Sequence, residues 1–450
     1  MFPSSLNRFD SRLSRLPFWT LLPVALLFGC GAKDGPDTET SGNTTIGNPA
    51  GGTDGNVANE SESRPSVDGF LDAELEPWRR ELLVEAFENA SKFPLRPHLK
   101  NRSKAQQEFV IATCIELGQL GLAIELANDV DNWRRGLAVA EVLERAVRDG
   151  SRDGVDPWID QATEIAYGVT LDENEQPWRR DRIRTKLAES CILLGRIEQA
   201  TELEAGIVPS ERGKSDIALS RIATLEEVEL LLDQLDGVLE LRDFDRTLNS
   251  LPSICVLYER FFDKKDVRRR IGSQVRGWIE SKNHPAQASL DAAVQLARVA
   301  ADRGSNDLAS SWLDLAQQVF DSVPWNLHFG LTQQSKISEE RFRIGESDLA
   351  RQHMDPAIER FNQLIESITD MERCEPLCAA AQAFAVGGEL AMARTLYRSA
   401  LEQAFVNQNA RPRLFDLLRV ALSWARVGFD PDQELRENLT AKFASLGDPW

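Results

Sequence analysis

Beyond about residue 66, apolar residues recur every three to four positions, and strict alternation is rare. That periodicity gives each segment one apolar stripe at helical spacing and predicts an all-α fold. Residues 290–302, 335–344 and 377–386 carry the pattern plainly, and they run into Gly304, Gly345 and Gly388. Five residues after each glycine stands an alanine: Ala309, Ala350 and Ala393. Seven residues further on stands another: Ala316, Ala357 and Ala400. A second helical pattern follows each glycine, so the unit reads as helix, tight turn, helix. Glycine ends the first helix because it takes a left-handed cap without a Cβ penalty. The alanines let paired helices approach closely. Gly118/Ala123 and Gly195/Ala200 repeat the first spacing in the N-terminal half.

These offsets resemble the tetratricopeptide repeat. On that pattern Leu296 takes the large apolar position of a first helix, and Ala297 and Ala381 the small one. Ser338 stands where the middle unit should carry a small apolar residue, the early tryptophan and closing proline are missing, and Pro356 lies inside a second helix, where it should kink it. The spacing also exceeds the family's 34 residues. The resemblance covers about 290–405, is partial at 104–130 and 181–207, and is lost in 208–285. It implies a right-handed α-solenoid of antiparallel helix hairpins whose first helices line a concave surface. Carried over by offset alone, Arg298, Asp302, Glu339, Arg343 and Gln382 would form a groove there for a protein or peptide partner.

The organisation expected is a signal segment (1–29), a polar linker (30–66), N-terminal helical repeats (67–207), an irregular helical connector (208–285), and C-terminal repeats with capping helices (286–450). Within the first repeat block Trp78, Trp133 and Trp178 each precede two arginines. The tryptophans should pack on the preceding hairpin and the arginines should face solvent or an acid. Helices at about 412–427 and 432–446 should cover the end of the stack, which otherwise exposes an apolar face.

The N-terminus changes the picture of where the chain works. Arg8, Arg12 and Arg15 precede an apolar run from Leu16 to Phe28, broken by Pro17, Thr20 and Pro23. At about thirteen residues it falls short of the ~20 that span a bilayer. Leu27-Phe28-Gly29-Cys30 closes it and resembles the cleavage box of a bacterial lipoprotein signal. The resemblance implies cleavage after Gly29, acylation of Cys30 and anchoring to a membrane. Residues 31–65 hold no leucine and no aromatic residue, too little apolar surface to offset ordering entropy. A disordered leash after an acylated cysteine suits a lipoprotein better than a simple cleaved signal. Gly31 rather than aspartate follows the cysteine, which favours the outer membrane, periplasmic side.

The formal net charge is −19, and about −21 once residues 1–29 are removed. Such a surface argues against nucleic acid, whose phosphates need a basic footprint. Besides Cys30, Cys114, Cys191 and Cys255 sit in apolar helical surroundings and read as core. Cys374 and Cys378 could form a local disulfide if Pro376 opened the helix and freed Cys374 to bend back. The four histidines have no metal-binding spacing, and no nucleophile elbow or phosphate loop is present, so no cofactor, metal or catalytic residue is expected. One basic cluster stands out: Arg260, Lys264, Lys265, Arg268, Arg269, Arg270 and Arg276. It reads as a solvated face neutralised by Glu259, Asp263 and Asp266, or as a dock for an acidic partner or lipid head group.

Three functions remain in view. A membrane-tethered, non-catalytic scaffold for a protein or peptide leads. A hydrolase on a helical toroid and a structural subunit of an envelope assembly stand beside it.

Overall fold

The structure, a computed structural model, describes residues 70–168, 177–208, 211, 216–240, 244–281, 285–448 and 450. The signal segment, Cys30 and the polar linker to residue 66 lie outside the described residues. Among those described the chain is all-helical, with no strand beyond one isolated bridge between Asp72 and Gln119. None of these helices is long and apolar enough to cross a membrane.

Helix α1 (Pro77–Ala90) leads into one long helix. It is made of α2 (Leu99–Lys104), a π-helical stretch (Ala105–Ile111) and α3 (Ala112–Glu116). The N-terminal half continues with α4 (Leu120–Ala127), α5 (Arg134–Arg148), α6 (Asp156–Gly168), α7 (Pro177–Leu193) and α8 (Ile197–Glu204). The middle holds α9 (Asp216–Ile222), α10 (Leu225–Glu240), α11 (Phe244–Arg260) and α12 (Lys265–Glu280). The C-terminal units pair α13 (Ala286–Asp302) with α14 (Asn306–Asp321), α15 (Leu327–Arg343) with α16 (Ser347–Leu364), and α17 (Cys374–Val386) with α18 (Leu390–Gln403). Helices α19 (Ala410–Val427) and α20 (Gln433–Ala444) close the chain.

The turn glycines behave as their spacing predicts. Gly118, Gly195, Gly304, Gly345 and Gly388 all have φ between 70° and 86°. In each, the next residue donates its N–H to the carbonyl five positions back, as from Ser305 to Ala300 and from Glu389 to Phe384. That pair of features is the Schellman cap, and it satisfies carbonyls the helix end leaves open. Gly150 and Gly428 make the same cap without the alanine spacing. The alanines after the turns, Ala123, Ala200, Ala309, Ala350 and Ala393, are all buried. Ala393 has no exposed surface, whereas its neighbour Arg394 lies at the surface, 2.9 Å from Asp432. Ala393→Leu should therefore overpack the α17–α18 contact and cost ~1–3 kcal/mol in a denaturant melt. Arg394→Ala should cost under ~1 kcal/mol. Equal melts for the two variants would show that the repeat register is misplaced.

The odd-numbered helices pack on one another in succession, α5 on α7, then α9, α11, α13, α15, α17 and α19. The middle segment, which lost the repeat in sequence, keeps this succession through α9 and α11. Helix α19 then packs against α1 and the π-helical stretch, and that stretch packs on α5. The circuit closes. Helix α20 packs on α18 and α19. Core grouping follows the closure: residues from 70–218 and 331–446 share one apolar cluster, while 223–316 with Ile337 form another.

Pro356 lies inside α16, which runs from Ser347 to Leu364. Arg79 meets an acid, Glu76, at 2.8 Å, and also reaches across the fold: its Nε donates to the Ala425 carbonyl at 2.7 Å, and Nη2 to that of Arg426 at 3.2 Å. It thus caps the C-terminal end of α19 from α1, where a cation suits the carbonyl dipoles. Cys374 and Cys378 are free thiols, not a disulfide. Helix α17 begins at Cys374 itself, so Pro376 falls in its first turn and both sulfurs stay on one face, 3.8 Å apart. A bond would need about 2.05 Å. The hydrogen bond between the two sulfurs and their burial raise the Cys374 thiol pKa well above the ordinary range.

Candidate functional site: a polar belt along successive helices

The five groove residues predicted by offset come together. Arg298 on α13 donates through Nε to Glu340 on α15 at 2.7 Å and lies 3.9 Å from Glu339. Arg343, one turn after Glu339, donates to it at 2.8 Å. Gln382 on α17 donates to the other Glu339 oxygen at 3.2 Å. Burial works against the Glu339 charge, yet the Arg343 and Arg298 guanidiniums hold its carboxyl below the usual range. Asp302, at the end of α13, has the opposite balance: burial and the nearby Glu340 charge raise its carboxyl. Glu340 is missed by the offset argument although it is the most enclosed member, with no exposed surface.

The cluster is one sector of a longer belt. Gln382 accepts from Ser423 on α19 at 3.4 Å, and Ser423 meets the Tyr397 hydroxyl at 2.8 Å. Arg426 crosses the closure, bonding Glu116 at 2.8 Å and Thr113 at 2.7 Å. On the far side Gln107 donates to Glu141 at 2.7 Å, and Lys186 on α7 to Glu189 at 2.6 Å. Burial raises the Glu141 and Glu189 carboxyls, both against the opposing Lys186 charge. Lys186 itself is held above its ordinary value, because Glu189 and Glu144 outweigh its burial. Between the two sectors, burial pulls Arg221 on α9 down to about 10 while Glu144 and Glu259 oppose the change. Each charge thus has opposite charges on the next helix, the condition for keeping ions away from bulk water.

A sequence signal for the missed members exists. Six positions before Gly150, Gly195, Gly304, Gly345 and Gly388 stand Glu144, Glu189, Arg298, Glu339 and Gln382, all polar, whereas Gly118 and Gly428 have Ala112 and Leu422 at that place. Extending the register to Gly150 and Gly195 would have found Glu144 and Glu189.

The three tryptophans lie elsewhere. Trp133 and Trp178 meet edge to face at 5.2 Å, and Arg134 and Arg179 stack on the pair. Trp78 receives Arg436 of α20 at 5.3 Å. Their guanidinium contacts are made within the chain. Among the described residues no three His, Cys, Asp or Glu side chains converge as a metal site. The chain matches no protein-family model, no curated protein and no solved structure.

Proposed function

We propose that this chain is an exported lipoprotein, acylated at Cys30 on the periplasmic side of the outer membrane, that binds a protein or peptide without catalysis. In this reading its body is a right-handed, tetratricopeptide-like solenoid and residues 31–65 are the leash. The observation that carries it is the convergence of Arg298, Asp302, Glu339, Arg343 and Gln382 on consecutive first helices. Charges of both signs set side by side suit a polar segment that brings its own donors and acceptors. A hydrolase has one observation in its favour, the raised carboxyls of Glu141 and Glu189. Each of the two already accepts a hydrogen bond at one oxygen, from Gln107 and from Lys186.

Two measurements test the proposal. Cys30→Ser should release the protein from the detergent phase, and a serine variant that partitions like the parent rules out Cys30 as the anchor. For the belt, Asp302→Ala and Gln382→Ala should leave melting unchanged within ~1 kcal/mol, because neither removes a charge partner from a fully enclosed ion. Chemical cross-linking in membranes should give a defined adduct with the parent that is lost in both variants. Adducts of equal yield in all three proteins would refute binding at this face.

A further inference from the structure

The basic cluster does not form a single solvated face. Arg260 turns back to the Ala223 carbonyl at 2.6 Å, and Arg270 pairs with Glu229 and Asp233. Lys265, Arg268, Arg269 and Arg276 instead follow one another along α12 at helical spacing. They rim a hollow of about 250 Å³ whose floor is Tyr258, Leu308 and Trp312. Among the described residues no acidic side chain lines it. The acids expected to neutralise it are turned elsewhere: Asp263 lies 3.6 Å from Arg303, and the Glu259 carboxyl, raised by burial, is opposed by Arg221 and Arg303. Only Asp266 remains, 3.6 Å from Arg269 on the open surface. Among the described residues Lys265 has no acidic partner.

Two guanidiniums are held in place by the fold. Arg268 donates to the Phe262 carbonyl at 3.0 Å and stacks on that ring at 4.5 Å. Arg276 lies 5.1 Å from the Trp312 ring centre and donates to Ser311 at 3.3 Å. The Trp312 N–H is used by the Tyr258 hydroxyl at 3.2 Å, so the floor presents carbon. At the hollow's edge Gly272 stands mid-helix, where glycine weakens a helix relative to alanine. A Cβ there would touch Trp312 at 3.4 Å, so any longer side chain would occupy the hollow.

Four like charges gathered around a small apolar-floored hollow, in a chain of net charge −19, call for an anion. Guanidinium forks match phosphate oxygens two at a time. The volume holds roughly eight waters' share of liquid, enough for one phosphate and a small apolar body. From this geometry we propose that the α12–α14 hollow binds a phosphate ester, with the phosphate on Lys265, Arg268, Arg269 and Arg276 and the organic part on Leu308 and Trp312. A lipid head group and a soluble ester share that chemistry. The site is independent of the belt.

Calorimetric titration of the purified full chain decides the matter, with phenyl phosphate, dihexanoyl phosphatidylglycerol and dihexanoyl phosphatidylcholine as probes. At least one of the two anionic probes should bind saturably and the zwitterion at least tenfold more weakly, a gap of about 1.4 kcal/mol. The exposed pair Lys265→Ala/Arg269→Ala should lose about tenfold in affinity, and Gly272→Leu should lose more by filling the hollow. Arg270→Ala, on the other side of the helix, should bind like the parent. Tighter binding of the glycerol diester assigns a lipid source, and tighter binding of phenyl phosphate a soluble one. Failure of both anionic probes to bind overturns the proposal. So does an affinity loss in Arg270→Ala equal to that of the double variant, which would mark general charge attraction. If Gly272→Leu unfolds, the double alanine variant, at two exposed positions, still decides.

Discussion

Arg298→Ala is expected to destabilise the protein by ~3–5 kcal/mol, because it strips a buried carboxylate of its main partner. Glu340 has no exposed surface, and Arg298 meets it with two guanidinium nitrogens, Nε at 2.7 Å. The second Glu340 oxygen is enclosed and, among the described residues, has no hydrogen-bond partner. After the substitution only the Arg343 Nε, at 3.6 Å, remains near the charge. That weaker contact places the expected cost near the lower end of the range. The position also matters to the architecture. Helix α13 belongs wholly to the second apolar cluster, whereas α15 contributes Ile337 to that cluster and Leu331 and Phe342 to the first. The Arg298–Glu340 pair therefore ties the two cores together. Replacing both members with methionine removes the charges along with their desolvation cost, so Arg298→Met/Glu340→Met should melt within ~1–2 kcal/mol of the parent. Urea melts of the single and paired variants measure the coupling. A cost below ~1 kcal/mol for Arg298→Ala would place the pair with ordinary surface ion pairs, and the belt would no longer count as an enclosed network.

The parts of this fold legible in sequence are those set by local rules. Helical periodicity, a glycine that must adopt positive φ and an alanine that must sit under a neighbouring helix are all decided within about twenty residues. Gly304, Gly345 and Gly388 could be read for that reason, and their register picks five residues that lie near one another in the fold. The second role of Arg79 could not be read, because the carbonyls of Ala425 and Arg426 that it meets besides Glu76 are nearly 350 positions away. Nothing in a Trp-Arg-Arg triplet says that one arginine will meet the far end of the chain. The middle segment failed for a different reason. Helices α9 to α12 keep the packing succession but lack the Schellman glycines, so the pattern that marks a unit in sequence is missing where the unit persists in space. Glu340 was lost because the offset rule assigns one residue per turn, and Glu339 took the place. The fate of the basic cluster depended on rotation about α12: Arg269 and Arg270 are adjacent in sequence, yet one rims the hollow and the other pairs with α10.

Closure of the circuit yields the other large effect. Phe93, just beyond α1, has no exposed surface and packs on Phe415 of α19 at 5.1 Å and on Trp450 at 5.5 Å. Phe415 in turn meets Phe109 of the π-helical stretch at 5.3 Å. Phe93→Ala removes a whole buried ring from this seam, and the cost for such a truncation is ~3–5 kcal/mol. Its reach separates a closed circuit from an open stack. In an open stack the vacancy would loosen only the segments around residues 77–116. In the closed form the same vacancy lies against α19, and the Lys92 contact to the Phe443 carbonyl at 3.1 Å binds α20 to the seam as well. Hydrogen exchange should therefore speed up together in 77–90, 410–427 and 433–444, while α13 and α14, inside the other apolar cluster, keep parental protection. Arg79→Ala should reproduce the pattern with a smaller loss, ~1–3 kcal/mol, since it leaves carbonyls at the end of α19 without their donor but opens no cavity. Faster exchange confined to residues 77–116 in both variants would mean that α1 and α19 do not meet in solution.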